Sequence, residues 1–273
     1  MNTPYFDGIE MFKGKFNLLS YHIPYLKQFC TEFDVRGRDI LEVGGAMPKE
    51  IVIDFLGANS WTCTEDPMYD KLLPSPGNQQ TIASSKGSDS YTTILKNIEE
   101  FDTSFNEKFD CIFSIACFEH ISKLPEALNK MWSVLKPGGK LFSMFSPIWS
   151  CHEGHHVMHL SIPEKFPTRG DQNILAPWEH LVKTRRQLHR DLKLKFDADF
   201  ADKVFYEVFN NPHINRYFAE DYEYIFHNSP FQLDKFIPSY SVPVPEPYQQ
   251  RLESMYQGYK KFSNQGFYVF ISK

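Results

Sequence analysis

The stretch Asp39-Ile40-Leu41-Glu42-Val43-Gly44-Gly45-Ala46 decides the fold. Ile40, Leu41 and Val43 make a short apolar run that suits a buried strand, and the glycine pair ends it because glycine lets the backbone turn sharply. Pro48 then stands where a helix opens at no cost in hydrogen bonds, and the spacing predicts a helix from there to about Leu56. Working outward, Ser60 to Glu65 reads as a second strand ending in acid and Gln79 to Ser84 as a weaker third. Phe109-Asp110-Cys111-Ile112-Phe113-Ser114-Ile115 is apolar on both alternating faces, as expected of a central strand in a parallel sheet. Ala127, Leu128, Met131, Val134 and Leu135 recur at helical spacing from Leu124 onward, Pro137-Gly138-Gly139 stops that helix, and Lys140 to Phe145 gives a fifth strand. Alternation of strand and helix over 36–145 predicts an α/β fold with a doubly wound, mostly parallel sheet. A ligand crevice is expected at the carboxyl ends of its strands.

The flanks divide the rest. Residues 1–35 read as a helical lid, with Met11, Leu18, Leu19, Ile23, Leu26, Phe29 and Cys30 on its apolar side and an interruption near Pro24. Residues 36–146 form the core. Residues 147–230 break the alternation and read as a helical and loop cap inserted after the fifth strand, with helices over 178–188, 198–209 and 218–227. Residues 231–273 return to the core, with closing strands over 231–241 and 266–272 around a helix at about 247–262, which brings the sheet to seven strands.

Composition narrows the function classes. The chain has 273 residues, and 29 Lys and Arg against 34 Asp and Glu leave a net charge of -5, so no cationic field is available for a nucleic-acid backbone. No run approaches the ~20 apolar residues of a membrane helix and the start lacks a signal-like segment, so a cytoplasmic protein without membrane contact is expected. Cys30, Cys63, Cys111, Cys117 and Cys151 are odd in number and scattered through apolar runs, which argues against a disulfide framework or a zinc knuckle. The 25 Phe and 14 Tyr point to a ring-lined pocket or an interface. Oligomeric state is left open.

Glu42 followed by Gly44-Gly45-Ala46 resembles the first motif of class I S-adenosylmethionine-dependent methyltransferases, an acid before a glycine-rich turn. Ala46 and Pro48 depart from it, standing where further glycines are common. The absence of G-x-G-x-x-G disfavours a dinucleotide. Glu65-Asp66 follows about twenty residues beyond the turn, where a carboxylate can accept both ribose hydroxyls. Phe109 to Ser114 with Phe118-Glu119-His120, then Val134-Leu135-Lys136-Pro137-Gly138-Gly139-Lys140-Leu141, resemble the fourth strand and the helix-to-fifth-strand junction of the same family. The resemblance implies a Rossmann-like sheet and S-adenosylmethionine as cofactor. It implies a cofactor site built from Glu42, Gly44, Gly45, Ala46, Glu65, Asp66, Glu99 after the third strand, Ser114 and Phe118.

After the fifth strand comes Trp149-Ser150-Cys151-His152-Glu153-Gly154-His155-His156-Val157-Met158-His159. It contains H-E-x-x-H from His152 to His156, but a zinc protease needs those histidines on one helix face, and Gly154 and the preceding Pro147 argue against a helix. No metal is expected. The loop reads as the mouth of the crevice, with His155 or His156 as general base and Trp149, His152, Trp178, His180 and Tyr21 on the acceptor side. The basic run Lys183 to Arg190 suits either an anionic acceptor or a solvated face. Loop and cap resemble bacterial methyltransferases of surface-polysaccharide and secondary-metabolite pathways. The expectation is O-methylation of a small polar acceptor, carbohydrate-related or phosphorylated. N-methylation of a secondary metabolite and a non-catalytic S-adenosylmethionine-binding module are the alternatives.

Overall fold

Seven strands form one sheet in the order β3-β2-β1-β4-β5-β7-β6. They are β1 (Asp39–Val43), β2 (Ser60–Glu65), β3 (Tyr91–Leu95), β4 (Phe109–Ile115), β5 (Leu135–Phe145), β6 (Gln232–Pro238) and β7 (Phe267–Ser272). The computed structural model describes residues 4–67, 90–163 and 173–273. β1 to β5 pair in parallel, while β7 runs antiparallel between β5 and β6. β1 and β4 lie at the centre and are buried on both faces, which is why their sequences are nearly continuous apolar runs. The expected α/β, doubly wound, mostly parallel sheet is the one observed.

Helices cover both faces. On one side lie α1 (His22–Glu32) and a π-helical turn, Glu50–Phe55, whose Ile51 and Val52 pack on Ile40, Cys63 and Trp61. On the other lie α2 (Leu124–Val134) and, contributed from far along the chain, α6 (Ala219–His227), with Tyr222 and Phe226 against Phe145 and Phe118. Within the first layer Phe29, Phe113 and Phe142 touch at ring-centroid distances of 5.0 to 5.9 Å. Each fully buried ring stabilises the fold by roughly 1.5–3 kcal/mol relative to an exposed one.

A third apolar cluster lies apart from the sheet. It joins Trp149 and Val157 to α3 (Glu179–Val182), α4 (Arg185–Lys195) and α5 (Ala198–Phe209), and recruits Leu252 of α7 (Glu246–Met255) and Phe262. The inserted segment therefore divides, since α6 packs on the sheet while α3 to α5 form a core of their own.

Several boundaries differ from the sequence expectation for local reasons. The third strand of the sheet is Tyr91–Leu95, and the expected 79–84 lies outside the described residues. Pro24 sits in the first turn of α1, where a missing N–H leaves no gap in the ladder, so it begins the helix rather than interrupting it. The helix expected over 178–188 is split at Thr184. Its hydroxyl accepts from Gln187 N at 3.3 Å while Gln187 Oε1 accepts from Thr184 N at 2.9 Å, a capping box that starts α4 afresh. β5 starts at Leu135, ahead of the Pro137-Gly138-Gly139 turn, with a break in register against β4.

Candidate active site

The carboxyl ends of β1, β2 and β4 open into a cleft of about 580 Å3. Its floor is the turn after β1. Gly44 has φ 76°, a left-handed conformation that favours glycine, and a Cβ there would lie 2.1 Å from Cys117 Sγ. A Cβ on Gly45 would lie 2.7 Å from Glu42 Oε1, so the turn passes between two side chains with no room for a third. Glu42 holds this shape. Its Oε2 accepts from Met47 N at 2.9 Å and from Trp61 Nε1 at 2.6 Å, drawing the chain back under the turn. Burial pushes its carboxyl up to about 6, opposed by those two donors. The turn thus closes through Glu42, with Ala46 and Pro48 where further glycines were expected.

Glu65 ends β2 in the wall of the cleft. Burial pushes it up to about 7, and Oε1 accepts from the Asp66 amide at 3.1 Å. Asp66 follows, with Oδ2 3.6 Å from His213 Nδ1. Lys96, Asn97, Ile98 and Glu99 form the wall beyond β3, and burial raises the Glu99 carboxyl. The segment from Phe16 to His22, Tyr21 included, lines the opposite side. Facing these is the loop after β4, which presents Ala116, Cys117, His120, Ile121 and Ser122. His120 Nδ1 donates to the His213 carbonyl at 2.7 Å, and burial holds the ring below its ordinary pKa, so it is neutral at pH 7 with the lone pair on Nε2.

Glu42, Gly44, Gly45, Ala46, Glu65, Asp66, Glu99 and Tyr21 therefore converge on one cleft. Ser114 and Phe118 stand outside its lining, each for a packing reason. Ser114 Oγ donates to the Val43 carbonyl at 2.8 Å, tying β4 to β1, and Phe118 lies in the core against Phe145 and Phe226.

The histidine loop is also outside the lining. His156 sits at φ 54° with Nε2 donating to the Pro147 carbonyl at 2.8 Å, and His155 Nδ1 accepts from Val157 N at 3.2 Å. Burial pushes both down to about 3, so neither meets the cleft as a base suited to neutral pH. The cluster does assemble as a packing unit. His180 lies edge-on to Trp149 at 4.7 Å and donates Nε2 to its carbonyl at 2.9 Å, and Trp178 packs at 5.6 Å from His152 with Nε1 bonded to the Phe262 carbonyl at 3.0 Å. Trp149 and Trp178 belong to the apolar cluster of the cap, and the His156 ring lies edge-on to His120 at 5.1 Å. Among the described residues no three His, Cys, Asp or Glu side chains converge as a metal site. In the basic run, Lys183 is paired with Glu179 and Asp191 at 2.5 and 2.9 Å, and Arg190 with Asp191 at 3.1 Å.

Sequence reasoning did not select Lys96, Asn97, Pro212 or His213 for the site. The polar Asn210-Asn211-Pro212-His213 turn between two helical stretches was the available signal for the last two.

Comparison with known proteins accords with this architecture. The profile of a methyltransferase-domain family matches residues 20–235. No curated protein matches the sequence. Among solved structures, an S-adenosylmethionine-dependent methyltransferase from Mesorhizobium loti aligns at 11% identity and a TM-score of 0.49, over 92% of this chain and 97% of its own. Phosphoethanolamine N-methyltransferase 2 of Haemonchus contortus, bound to S-adenosyl-L-methionine, aligns at 14% identity and 0.48, over 92% and 51%. Geranyl diphosphate C-methyltransferase of Streptomyces coelicolor A3(2) aligns at 10% and 0.47, over 93% and 77%. No helix among the described residues is long and apolar enough to cross a membrane. With the profile spanning most of the chain and the cleft at the carboxyl ends of β1, β2 and β4, the protein belongs to the S-adenosylmethionine-dependent methyltransferases.

Proposed function

We propose that the protein methylates a hydroxyl of a small polar molecule, carbohydrate-related or phosphorylated, with His120 as general base. The observation that carries this reading is the His120 ring, which lines the cofactor cleft with Nδ1 tied to a backbone carbonyl and its lone pair on Nε2. The cleft suits S-adenosylmethionine by its donor set: a glycine turn that brings backbone close to a ligand, and a largely buried carboxylate at the end of β2. Gly44, Gly45 and Ala46 would hold its amino-acid end and Glu65 its ribose hydroxyls. When bound, the cofactor supplies an electrophilic sulfonium methyl.

The chain's own groups do the rest. Tyr21, Leu18 and Leu19 wall the cleft on the lid side. A neutral hydroxyl is a poor nucleophile, so alignment beside a neutral imidazole that takes its proton accounts for much of the acceleration. His155 and His156, the bases expected from the sequence, give that role to His120 because their ring nitrogens serve the loop.

The test is S-adenosylhomocysteine release from a panel of sugars, sugar phosphates and amines, measured for the wild type and for His120→Gln. A hydroxyl acceptor whose turnover collapses in His120→Gln is the expected result. If an amine is the acceptor and its turnover is unaffected by His120→Gln, the protein is an N-methyltransferase and the base assignment falls.

A further inference from the structure

The loop after β4 faces the cleft, yet its carbonyls are satisfied from the cap. Asn215, buried at 5% exposure between α5 and α6, does most of this. Its backbone N–H donates to the Glu119 carbonyl at 3.0 Å, and its Nδ2 donates to the carbonyls of Phe118 at 2.6 Å and Ile121 at 3.0 Å. Its Oδ1 accepts from Tyr222 OH at 2.7 Å, which fixes the amide's orientation from α6. Two residues earlier the His213 carbonyl accepts from His120 Nδ1, and two residues later Tyr217 OH donates to the Ser122 carbonyl at 2.9 Å. Five bonds from one short strap thus register residues 118–122.

The chemistry of the amide is specific. An aspartate of the same shape would set carboxylate oxygen against the two carbonyls, and leucine would leave both of them and a buried phenol unpaired, an arrangement that buried polar groups avoid.

We propose that Asn215 is a positioning residue that ties the post-β4 loop to the cap and so holds His120 in the tautomer with Nδ1 protonated and Nε2 bearing the lone pair. The inference rests on the reading of His120 as the base. It adds that the cap, far along the chain from β4, sets the protonation pattern of the group that meets the acceptor. The link runs through backbone carbonyls, so the side chain of His213 is not required for it.

Long-range proton–nitrogen NMR of histidine-labelled protein reads the tautomer directly, with the His120 signals assigned from His120→Gln. The wild type is expected to show a single His120 tautomer. Asn215→Ala is expected to show both, and Tyr222→Phe, which removes the shorter of the two donors to Asn215 Oδ1 and leaves the Tyr217 amide at 3.4 Å, a smaller admixture of the second. His213→Ala, which keeps the carbonyl, should match the wild type. A folded Asn215→Ala protein with the wild-type tautomer overturns the proposal. If that variant does not fold, an unchanged spectrum in Tyr222→Phe overturns it equally, as does a mixed tautomer in His213→Ala. Calorimetry with S-adenosylhomocysteine separates the two readings. A wild type that fails to bind it overturns the proposed function whatever the tautomers show, while normal binding with an unchanged tautomer in Asn215→Ala overturns only the positioning role.

Discussion

In the cleft, polar side chains are anchored to the backbone and line the cavity. Glu65 takes a bond from its neighbour's amide, and His120 gives Nδ1 to a carbonyl while its ring lines the cavity. In the cap, a short distance along the same rim, histidines and tryptophans of the same chemical kinds are committed to the interior, His156 to Pro147, His180 to Trp149 and Trp178 to Phe262. The residue types do not distinguish these regions. What does is where the ring lies once its N–H is bonded, since His120 and His156 each donate to a backbone carbonyl but the His120 ring lines the cleft and the His156 ring does not.

The sharpest way to break this contrast is to remove one histidine from each side. His120→Gln is expected to lower turnover 10²–10⁴-fold with S-adenosylhomocysteine affinity retained, the usual loss for a positioned base. His156→Gln is expected to reduce stability by about 1–3 kcal/mol, because the part-buried Pro147 carbonyl loses its donor, and to lower turnover far less than His120→Gln although the two rings touch at 5.1 Å. The contrast fails if the two variants exchange these signatures.

Gly44→Ala tests the cleft floor. The left-handed conformation alone costs roughly 1–2 kcal/mol for an alanine, and contact with Cys117 Sγ adds to that, so stability and cofactor affinity should fall together. Gly44→Ala with Cys117→Ala should recover part of both, because the two sites share the same space. Full additivity in denaturation and calorimetry would show that the contact does not matter.

Glu65→Ala should weaken S-adenosylmethionine binding by about 1–3 kcal/mol through the loss of the carboxyl acceptor for the ribose hydroxyls. Unchanged affinity would move the ribose site elsewhere in the cleft.

The effect of pH is spread over the whole molecule rather than set at one site. Buried His155, His156 and His180 titrate near 3, 3 and 4 in the folded protein, below the ordinary histidine value of 6.5, so the unfolded chain binds their protons first and stability falls as pH drops from about 6.5 toward those values. Glu42, Glu65 and Glu119 are pushed up to about 6, 7 and 8, so the folded protein binds those protons first and is stabilised as pH falls through that range to about 4.5. The two sets oppose one another near pH 5.5, where stability should be flat. Below about 4.5 the raised carboxylates add little more, and each histidine gives a fall of up to about 1.4 kcal/mol per pH unit, in the same direction as the loss from Glu32, Asp34 and Asp39, whose basic partners hold them below their ordinary values. Between pH 6.5 and 8 the acids dominate, and stability should decline by roughly 1 kcal/mol as pH rises. Urea midpoints across pH 3.5–8 check both limbs, and a curve that climbs steadily in either direction contradicts the assignment.

How far the molecule was legible in its sequence follows the same division. β1, its glycine turn, β4 and α2 were readable because their patterns are local: continuous apolar runs where both faces are buried, and three-and-four spacing where one is. β3 was not. Thr92, Thr93 and Leu95 of an edge strand are partly or fully exposed, so no apolar pattern marks them. The carboxylates that line the cleft, Glu42, Glu65, Asp66 and Glu99, were picked out from order and spacing. The position of the histidine loop after β5 was equally visible, but the direction of its rings depends on the Pro147 and Trp149 carbonyls and on the left-handed turn at His156, and no spacing rule encodes these. Likewise His120 was visible beside Glu119, while its partner His213 lies 93 residues away.

The placement of β7 bears on how the protein is made. β6 is synthesised before β7 but can reach the sheet only across it, since β7 lies between β5 and β6 and all six of its residues are buried. Until Phe267 to Ser272 is made, therefore, β5 has no neighbour on that side of the sheet and β6 has no strand to pair with. An exposed strand edge of this kind is where partly made chains associate with one another. Stalled or truncated products lacking those residues should thus be the form of this protein most dependent on chaperones, although every residue of the cofactor cleft has already been translated.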